Sequence, residues 1–245
     1  MATDRKIALV TGANRGIGFE TARQLGQKGV TVIVAARTLK SAEETASKLK
    51  TDGVEAFPLK LDVTNAQDRE AAAKTIGDRF GRLDILVNNA GVGPQDGFVP
   101  KTINTTEEEL QKVFGTNLFA VIGVTQSLLP LLKKSAAGRI VNLSSVLGSL
   151  TLHADPKSPI AGFKVFAYDA SKAALNAFTI HLAAELKDTK IKVNSAHPGW
   201  VKTEMGTDQA PMEIPEGAKT SVDLALLGPD GPNGRFIHLG QELPW

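Results

Sequence analysis

The sequence predicts an α/β fold: one doubly wound parallel sheet of about seven strands, in the order 3-2-1-4-5-6-7, with helices on both faces. Three observations predict it. Strand-like and helix-like segments alternate along all 245 residues. The strand-like runs are short, apolar and β-branched, the pattern of strands buried on both faces. The first of them feeds a glycine-rich turn that opens a helix.

That first strand covers residues 6–10, Lys-Ile-Ala-Leu-Val. Thr11-Gly12-Ala13-Asn14-Arg15-Gly16-Ile17-Gly18 follows, then a helix over 19–25. Glycines let a backbone turn tightly and approach a pyrophosphate, and the free N–H groups of a helix start face the anion. The spacing here is G-x-x-x-G-x-G; alone, it also fits a tight turn that binds nothing. Residues 30–36 form the second strand and 41–50 a polar helix. A third strand, 54–61, ends at Asp62. The helix over 66–80 has Thr64 or Asn65 placed to cap it. The fourth strand, 83–87, runs into Asn88-Asn89-Ala90-Gly91.

Residues 93–105 read as loop. Thr106, with Glu109 three residues on, is a capping-box start for a helix that reaches about residue 133, with room for a break. The fifth strand, 139–143, ends in Ser144-Ser145, and 146–162 reads as an irregular insertion with two prolines. A long alanine-rich helix covers 165–186. The sixth strand, 191–195, leads to Pro198-Gly199. Residues 202–214 read as a mobile loop, and Pro215 opens a helix over 216–227. A last strand covers 234–239, and 241–245 is a short tail. With no linker, repeat or low-complexity tract, residues 1–245 read as a single domain.

Composition removes whole classes of chemistry. Hydrophobic content of 42% and charged content of 22% are ordinary for a globular domain. A net charge of +2, from 28 basic and 26 acidic residues, gives no reason to expect nucleic acid or an anionic membrane as partner. The absence of cysteine excludes disulfides, a thiolate nucleophile and iron–sulfur or cysteine-zinc sites. His153, His181, His197 and His238 lack ligand spacing, so no metal is expected. The N-terminus lacks the apolar region of a signal peptide, and no apolar run approaches the ~20 residues of a membrane span. A cytoplasmic location is expected.

In sheets of this kind ligands lie beyond the carboxyl ends of the strands, near the reversal of strand order. The polar clusters fall there: Arg37, Asp62, Asn88 to Gly91, Ser144-Ser145 and Pro198-Gly199. A carboxylate after the second strand would bind both adenosine ribose hydroxyls and favour NAD. This strand ends Ala35-Ala36-Arg37-Thr38 instead. Arg37 on one side and Arg15 on the other can hold a 2′-phosphate by charge-assisted bonds, so NADP(H) is the expected cofactor. In the long helix, Tyr168 and Lys172 stand four apart and share a face. An ammonium beside a phenol favours the phenolate and lowers a pKa that is otherwise near 10.

Taken together and in order, these motifs resemble the short-chain dehydrogenase/reductase family over nearly the whole length. They are Thr11-Gly-x-x-x-Gly-x-Gly18, Asp62-Val63, Asn88-Asn89-Ala90-Gly91, Asn117, Ser144-Ser145, Tyr168-x-x-x-Lys172 and Pro198-Gly199. The run His197 to Met205 and the C-terminal residues draw it towards the carbonyl-reductase branch. The resemblance implies a Rossmann fold and a reversible, NADPH-dependent, metal-independent reduction of ketones or aldehydes.

By the same resemblance, Tyr168 gives its proton to the carbonyl oxygen, while Lys172 lowers the tyrosine pKa and bonds the nicotinamide ribose. Asn117 holds a relay water. Ser145, second of its pair, stabilises the developing charge, with Ser144 as the alternative. Gly12, Asn14, Arg15, Gly16, Ile17 and Gly18 cradle the pyrophosphate. Asp62 and Val63 border the adenine. Asn89, Ala90 and Gly91 back the adenosine ribose, although a structural tie between strands fits Asn89 as well. Pro198 and Gly199 lead to Val201 and Thr203, which meet the carboxamide and pyrophosphate. Trp200 reads equally as a pocket wall or a buried structural residue.

The Ser145–Tyr168 interval exceeds the family's common spacing by roughly ten residues. A much longer insertion there accompanies a monomeric state in the carbonyl-reductase branch, so monomer and homo-oligomer both remain compatible. A close rival within the family is reduction of a 3-oxoacyl thioester on a carrier protein. It would favour a basic patch at the site entrance, where Lys202 is the only basic residue between His197 and Pro215. A cofactor sensor without catalysis would lack one of Asn117, Ser145, Tyr168 or Lys172, and all four are present. An epimerase or dehydratase fits the glycine spacing poorly. If Arg37 reads the 2′-phosphate, Arg37→Asp should sharply reduce the NADPH/NADH ratio of kcat/KM in initial-rate assays; an unchanged ratio would contradict that role.

Overall fold

The computed structural model describes residues 5–94, 97–99 and 102–245. The expectations for residues 1–4, and for Gln95, Asp96, Pro100 and Lys101 in the 93–105 loop, lie outside the described residues. The elements in order are β1 (Ile7–Thr11), α1 (Gly16–Gln27), β2 (Thr31–Ala36), α2 (Leu39–Thr51), β3 (Ala56–Lys60), α3 (Ala66–Phe80) and β4 (Ile85–Asn88). Next come α4 (Glu107–Phe114), α5 (Ala120–Leu132), β5 (Arg139–Leu143), α6 (Leu150–Ala154), α7 (Phe166–Glu185) and β6 (Lys192–Ala196). The chain ends with α8 (Ile214–Ala225), β7 (Phe236–His238) and β8 (Gln241–Glu242).

The sheet order is β3-β2-β1-β4-β5-β6-β7-β8. The first seven strands pair in parallel as expected. The eighth is an addition: residues 241–242, expected as tail, return antiparallel to β7. Leu239 at φ 46° and Gly240 at φ 81° make the reversal. Two paired residues are too short to show alternation. Trp245 then stacks on Phe236, with centroids 5.7 Å apart.

Side chains alternate across the sheet into two cores. Leu9, Ile33, Leu86, Ile140 and Val193 pack on one face. Ala8, Val10, Val32, Val34, Ile85, Val87 and Val141 pack on the other. This is why the strand sequences are apolar throughout rather than alternating. The carboxyl halves of the central strands are also joined by buried amides and hydroxyls. Asn88 Nδ2 donates to Asn142 Oδ1 at 2.9 Å, and Asn142 Nδ2 donates to Thr179 Oγ1 at 2.9 Å. Ser195 Oγ reaches the same Thr179 hydroxyl at 2.9 Å. These bonds lock β4, β5 and β6 to α7.

The helix starting after Thr106 has no break. Thr106 Oγ1 accepts from Glu109 N at 3.2 Å, and α4 continues into α5 through a π-helical turn, Gly115–Phe119. Such turns insert one residue into the helical ladder and recur at functional sites. Here the turn carries Asn117 inward, to 1% exposure. The stretch Glu107–Leu132 is long and apolar enough to cross a membrane by composition; in this fold it packs against α3 and α7.

The insertion is more regular than its sequence suggests. It holds a 3₁₀ turn, Val146–Gly148, and α6, which Ser149 caps by accepting from Leu152 N at 3.1 Å. The segment expected as a mobile loop is tied at its base. Lys202 N donates to Met212 O at 2.9 Å, and Met212 N to Trp200 O at 3.2 Å.

Candidate active site

The glycine loop leaves β1 with Gly12 at φ 61° and Gly16 at φ 54°, conformations that favour glycine. Thr11 Oγ1 accepts from Asn89 N and Ala90 N, both at 3.0 Å, which joins the loop to the end of β4. Asn89 Nδ2 donates to Thr11 O at 2.8 Å and to Gly12 O at 3.1 Å. A Cβ on Gly18 would stand 2.4 Å from that amide. Gly18 is therefore required for packing, and the Asn89 side chain is occupied in bracing the loop.

No side chain caps the first turn of α1, and that turn holds no acid. Its N–H groups are thus left for an anion, and the cradle fits a pyrophosphate. Asn14 is exposed and Ile17 partly buried on its rim. Arg37 is exposed just past β2, with no hydrogen bond or ion pair among the described residues. Arg15 instead pairs with Glu204. The two guanidiniums expected to share one phosphate are therefore one free and one engaged, because the loop after β6 brings a carboxylate across. Asp62 Oδ1 accepts from Thr64 N and Oγ1 at 2.9 and 2.7 Å. Val63 packs partly into the core.

After β6, Pro198 leads to Gly199 at φ 91°. Val201 is buried against Gly217 of α8. The Thr203 methyl lies 3.6 Å from the position a Gly16 Cβ would take, so this segment meets the glycine loop. Trp200 is 52% exposed, which excludes the buried structural role. Its Nε1 donates to Gly206 O at 2.6 Å.

The residues expected to react lie together where β5 meets α7. Tyr168, in the first turn of α7, is 7% exposed, and the Ser145 side chain is near enough to its hydroxyl to pull the phenol's pKa down. Ser145 also accepts from Leu147 N at 3.2 Å, capping the 3₁₀ turn. Ser144 Oγ is buried without a partner among the described residues; of the two serines, Ser145 is the one that acts on the phenol. Lys172, one turn on, donates from Nζ to Leu143 O at 2.8 Å and lies 5.6 Å from the Tyr168 ring centroid.

Asn117 Oδ1 accepts from Val92 N at 2.9 Å, and its Nδ2 donates to Val92 O at 3.0 Å and Ser171 Oγ at 3.1 Å. A Cβ on Gly91 would stand 3.2 Å from Asn117 Oδ1 and 3.8 Å from Lys172 Nζ. The two side chains thus approach each other around Gly91. Phe98 sets its edge against the Tyr168 ring, with centroids 5.4 Å apart and planes at 83°.

The electrostatics correct one expectation. Burial pushes the Tyr168 phenol up to about 12; the nearby Ser145 hydroxyl pulls it down, and the neighbouring Asp169 adds to the rise. Burial pushes Lys172 down to about 8. The predicted lowering of the tyrosine pKa by lysine is absent, because desolvation of both groups dominates.

His197 was read from sequence as an ordinary histidine. It sits at the end of β6, and its Nδ1 takes the Val146 N–H at 3.2 Å, so it holds the serine turn. Phe98, in a loop without periodicity, gave no sequence signal. Burial, with His238 adding repulsion, pushes His197 down to about 3. Between about 3 and 6.5 the unfolded chain takes up a proton that this ring refuses, so stability falls as the pH drops. Asp169, raised to about 7 by burial, opposes that slope. His197→Asn keeps an acceptor for Val146 and removes only the histidine contribution. Urea unfolding at about pH 6.5 and 5 should show an acid-induced loss smaller than wild type by ~1–2 kcal/mol; equal losses would contradict it.

The model for short chain dehydrogenases matches residues 6–214. Carbonyl reductase (NADPH) 1 of Mus musculus is 32% identical over an alignment covering 100% of both chains. The 3-oxoacyl-acyl-carrier-protein reductase FabG of Staphylococcus aureus is 35% identical over 92% of this chain and 86% of its own. The structure of NADPH-bound carbonyl reductase from chicken fatty liver superposes with a TM-score of 0.83 at 30% identity, covering 99% and 100% of the two chains. The chain belongs to the short-chain dehydrogenase family.

Proposed function

We propose that this chain reduces ketones or aldehydes to alcohols with NADPH, reversibly. The observation that carries the reading is the Ser145–Tyr168 hydroxyl pair with Lys172 one helical turn on. The bound nucleotide supplies a hydride at its nicotinamide ring. Tyr168 O–H protonates the carbonyl oxygen, and Ser145 O–H donates a hydrogen bond to the same oxygen as charge develops. Two hydroxyls on one oxygen leave no need for a metal. Lys172 holds the nicotinamide ribose, and Asn117 orders the proton path to it. Arg37 and Arg15 hold the 2′-phosphate, Arg15 exchanging Glu204 for it. The glycine loop, Asp62, Val63, Asn89 to Gly91 and the 198–203 segment cradle the remainder.

A phenol held up near 12 is fully protonated at neutral pH. That is the state a proton donor needs, and oxidation, which releases a proton, should gain as pH rises. Phe98 beside the phenol supports an apolar or aromatic carbonyl. A phosphopantetheine arm finds less support, since Lys202 at the loop base is paired with Glu213. We also take residues 1–245 as one cytoplasmic domain.

The test is a panel of aldehydes, aryl ketones, ketoesters and 3-oxoacyl thioesters, followed by loss of NADPH absorbance. Tyr168→Phe should lower kcat roughly 10²- to 10⁴-fold while NADPH binding stays within about twofold. A variant with wild-type kcat would contradict the assignment.

A further inference from the structure

The 146–164 insertion packs a cluster of polar groups against the start of α7 that the proposed chemistry does not use. His153 is at its centre, with its side chain only 12% exposed. Its Nδ1 lies 3.1 Å from Lys164 Nζ. An ammonium only donates, so Nδ1 accepts and the ring proton sits on Nε2. Nε2 lies 3.0 Å from Leu147 O and 3.4 Å from Asp169 Oδ2. Leu147 belongs to the turn capped by Ser145, and Asp169 follows Tyr168. Lys164 Nζ also donates to His153 O at 2.7 Å, and Asp169 Oδ2 accepts from Val165 N at 2.8 Å. Lys164 and Asp169 are the titratable groups facing the ring; its third neighbour is a backbone carbonyl.

One imidazole N–H thus spans the turn that presents Ser145 and the helical turn that presents Tyr168. His197 holds the same 3₁₀ turn through Val146, and at Gly148 a Cβ would meet the Lys172 backbone at 2.8 Å. The Ser145 hydroxyl, on a three-residue turn, depends on such outside contacts for its aim. We propose that His153 is a positioning residue. Its Nε2–H, fixed in that tautomer by Lys164, clamps the Ser145 turn to the start of α7 and sets the Ser145–Tyr168 hydroxyl geometry. The proposal rests on the reductase reading, and it gives the insertion a part in catalysis rather than in packing alone.

The experiment is a double-mutant cycle in the full chain. His153→Phe fills the space without the hydrogen bonds, and His153→Gln returns a donor towards Leu147 O and an acceptor for Lys164. With a carbonyl the wild type reduces, His153→Phe should lower kcat roughly 10- to 100-fold, with the NADPH Kd from fluorescence within about twofold. His153→Gln should recover to within about threefold of wild type, and Ser145→Ala/His153→Phe should be no slower than Ser145→Ala alone. Multiplying losses, equal losses in both His153 variants, or unchanged kcat in His153→Phe would overturn the clamp.

Failure of the reductase reading is separate: the wild type would then turn over nothing on the panel. The clamp is in that case decided by amide hydrogen exchange of residues 146–148. Faster exchange in His153→Phe but not in His153→Gln supports it, and unchanged exchange overturns it.

Discussion

The candidate site depends on the nearness of two hydroxyls, Ser145 at the start of the turn after β5 and Tyr168 in the first turn of α7, close enough for the serine to pull the phenol's pKa down. Neither partner is aimed by its own element. The serine turn is three residues long and is held by His197, by His153 and by the close approach at Gly148. The tyrosine lies on a helix fixed to the sheet by Thr179, which takes bonds from Asn142 and Ser195. Polar groups this deep cost several kcal/mol each if left unpaired. Satisfied, they define a single arrangement, and the geometry of the reacting groups follows from it.

Burial has a second consequence. The phenol and the amine are pushed in opposite directions, up and down, each towards its neutral form. The same dryness that raises the tyrosine pKa would strengthen any hydrogen bond the phenol donates to an oxygen taking on charge. Phe98 contributes by covering one edge of the ring. The glycine-loop end is built differently. It uses backbone N–H groups, glycine conformations and exposed arginines, which suits a large anionic ligand that must enter and leave.

Much of this was legible in the residues. The parallel sheet followed from seven apolar runs alternating with helices, and the polar motifs could be placed at the strand ends, where the structure holds them. What escaped depended on distance or on a missing period. The π turn adds one residue to a 3.6-residue repeat, so it looked like a possible break, although it is what turns Asn117 inward. β8 is two residues long. The Arg15–Glu204 pair joins groups far apart in sequence, and nothing local announces it. The tyrosine pKa was read from its lysine neighbour, a local feature; the burial that outweighs it is a property of the assembled fold. His153 looked ordinary until the insertion folded around it.

The central claim is that the phenol of the only tyrosine in the chain is buried and held protonated well past neutrality. Having one tyrosine makes this directly readable as tyrosinate ultraviolet absorbance in an alkaline titration, with circular dichroism reporting that the fold persists. The account predicts no tyrosinate signal at pH 10 in the native, nucleotide-free protein and a midpoint about 12. A reversible native-state midpoint below 10 would contradict it.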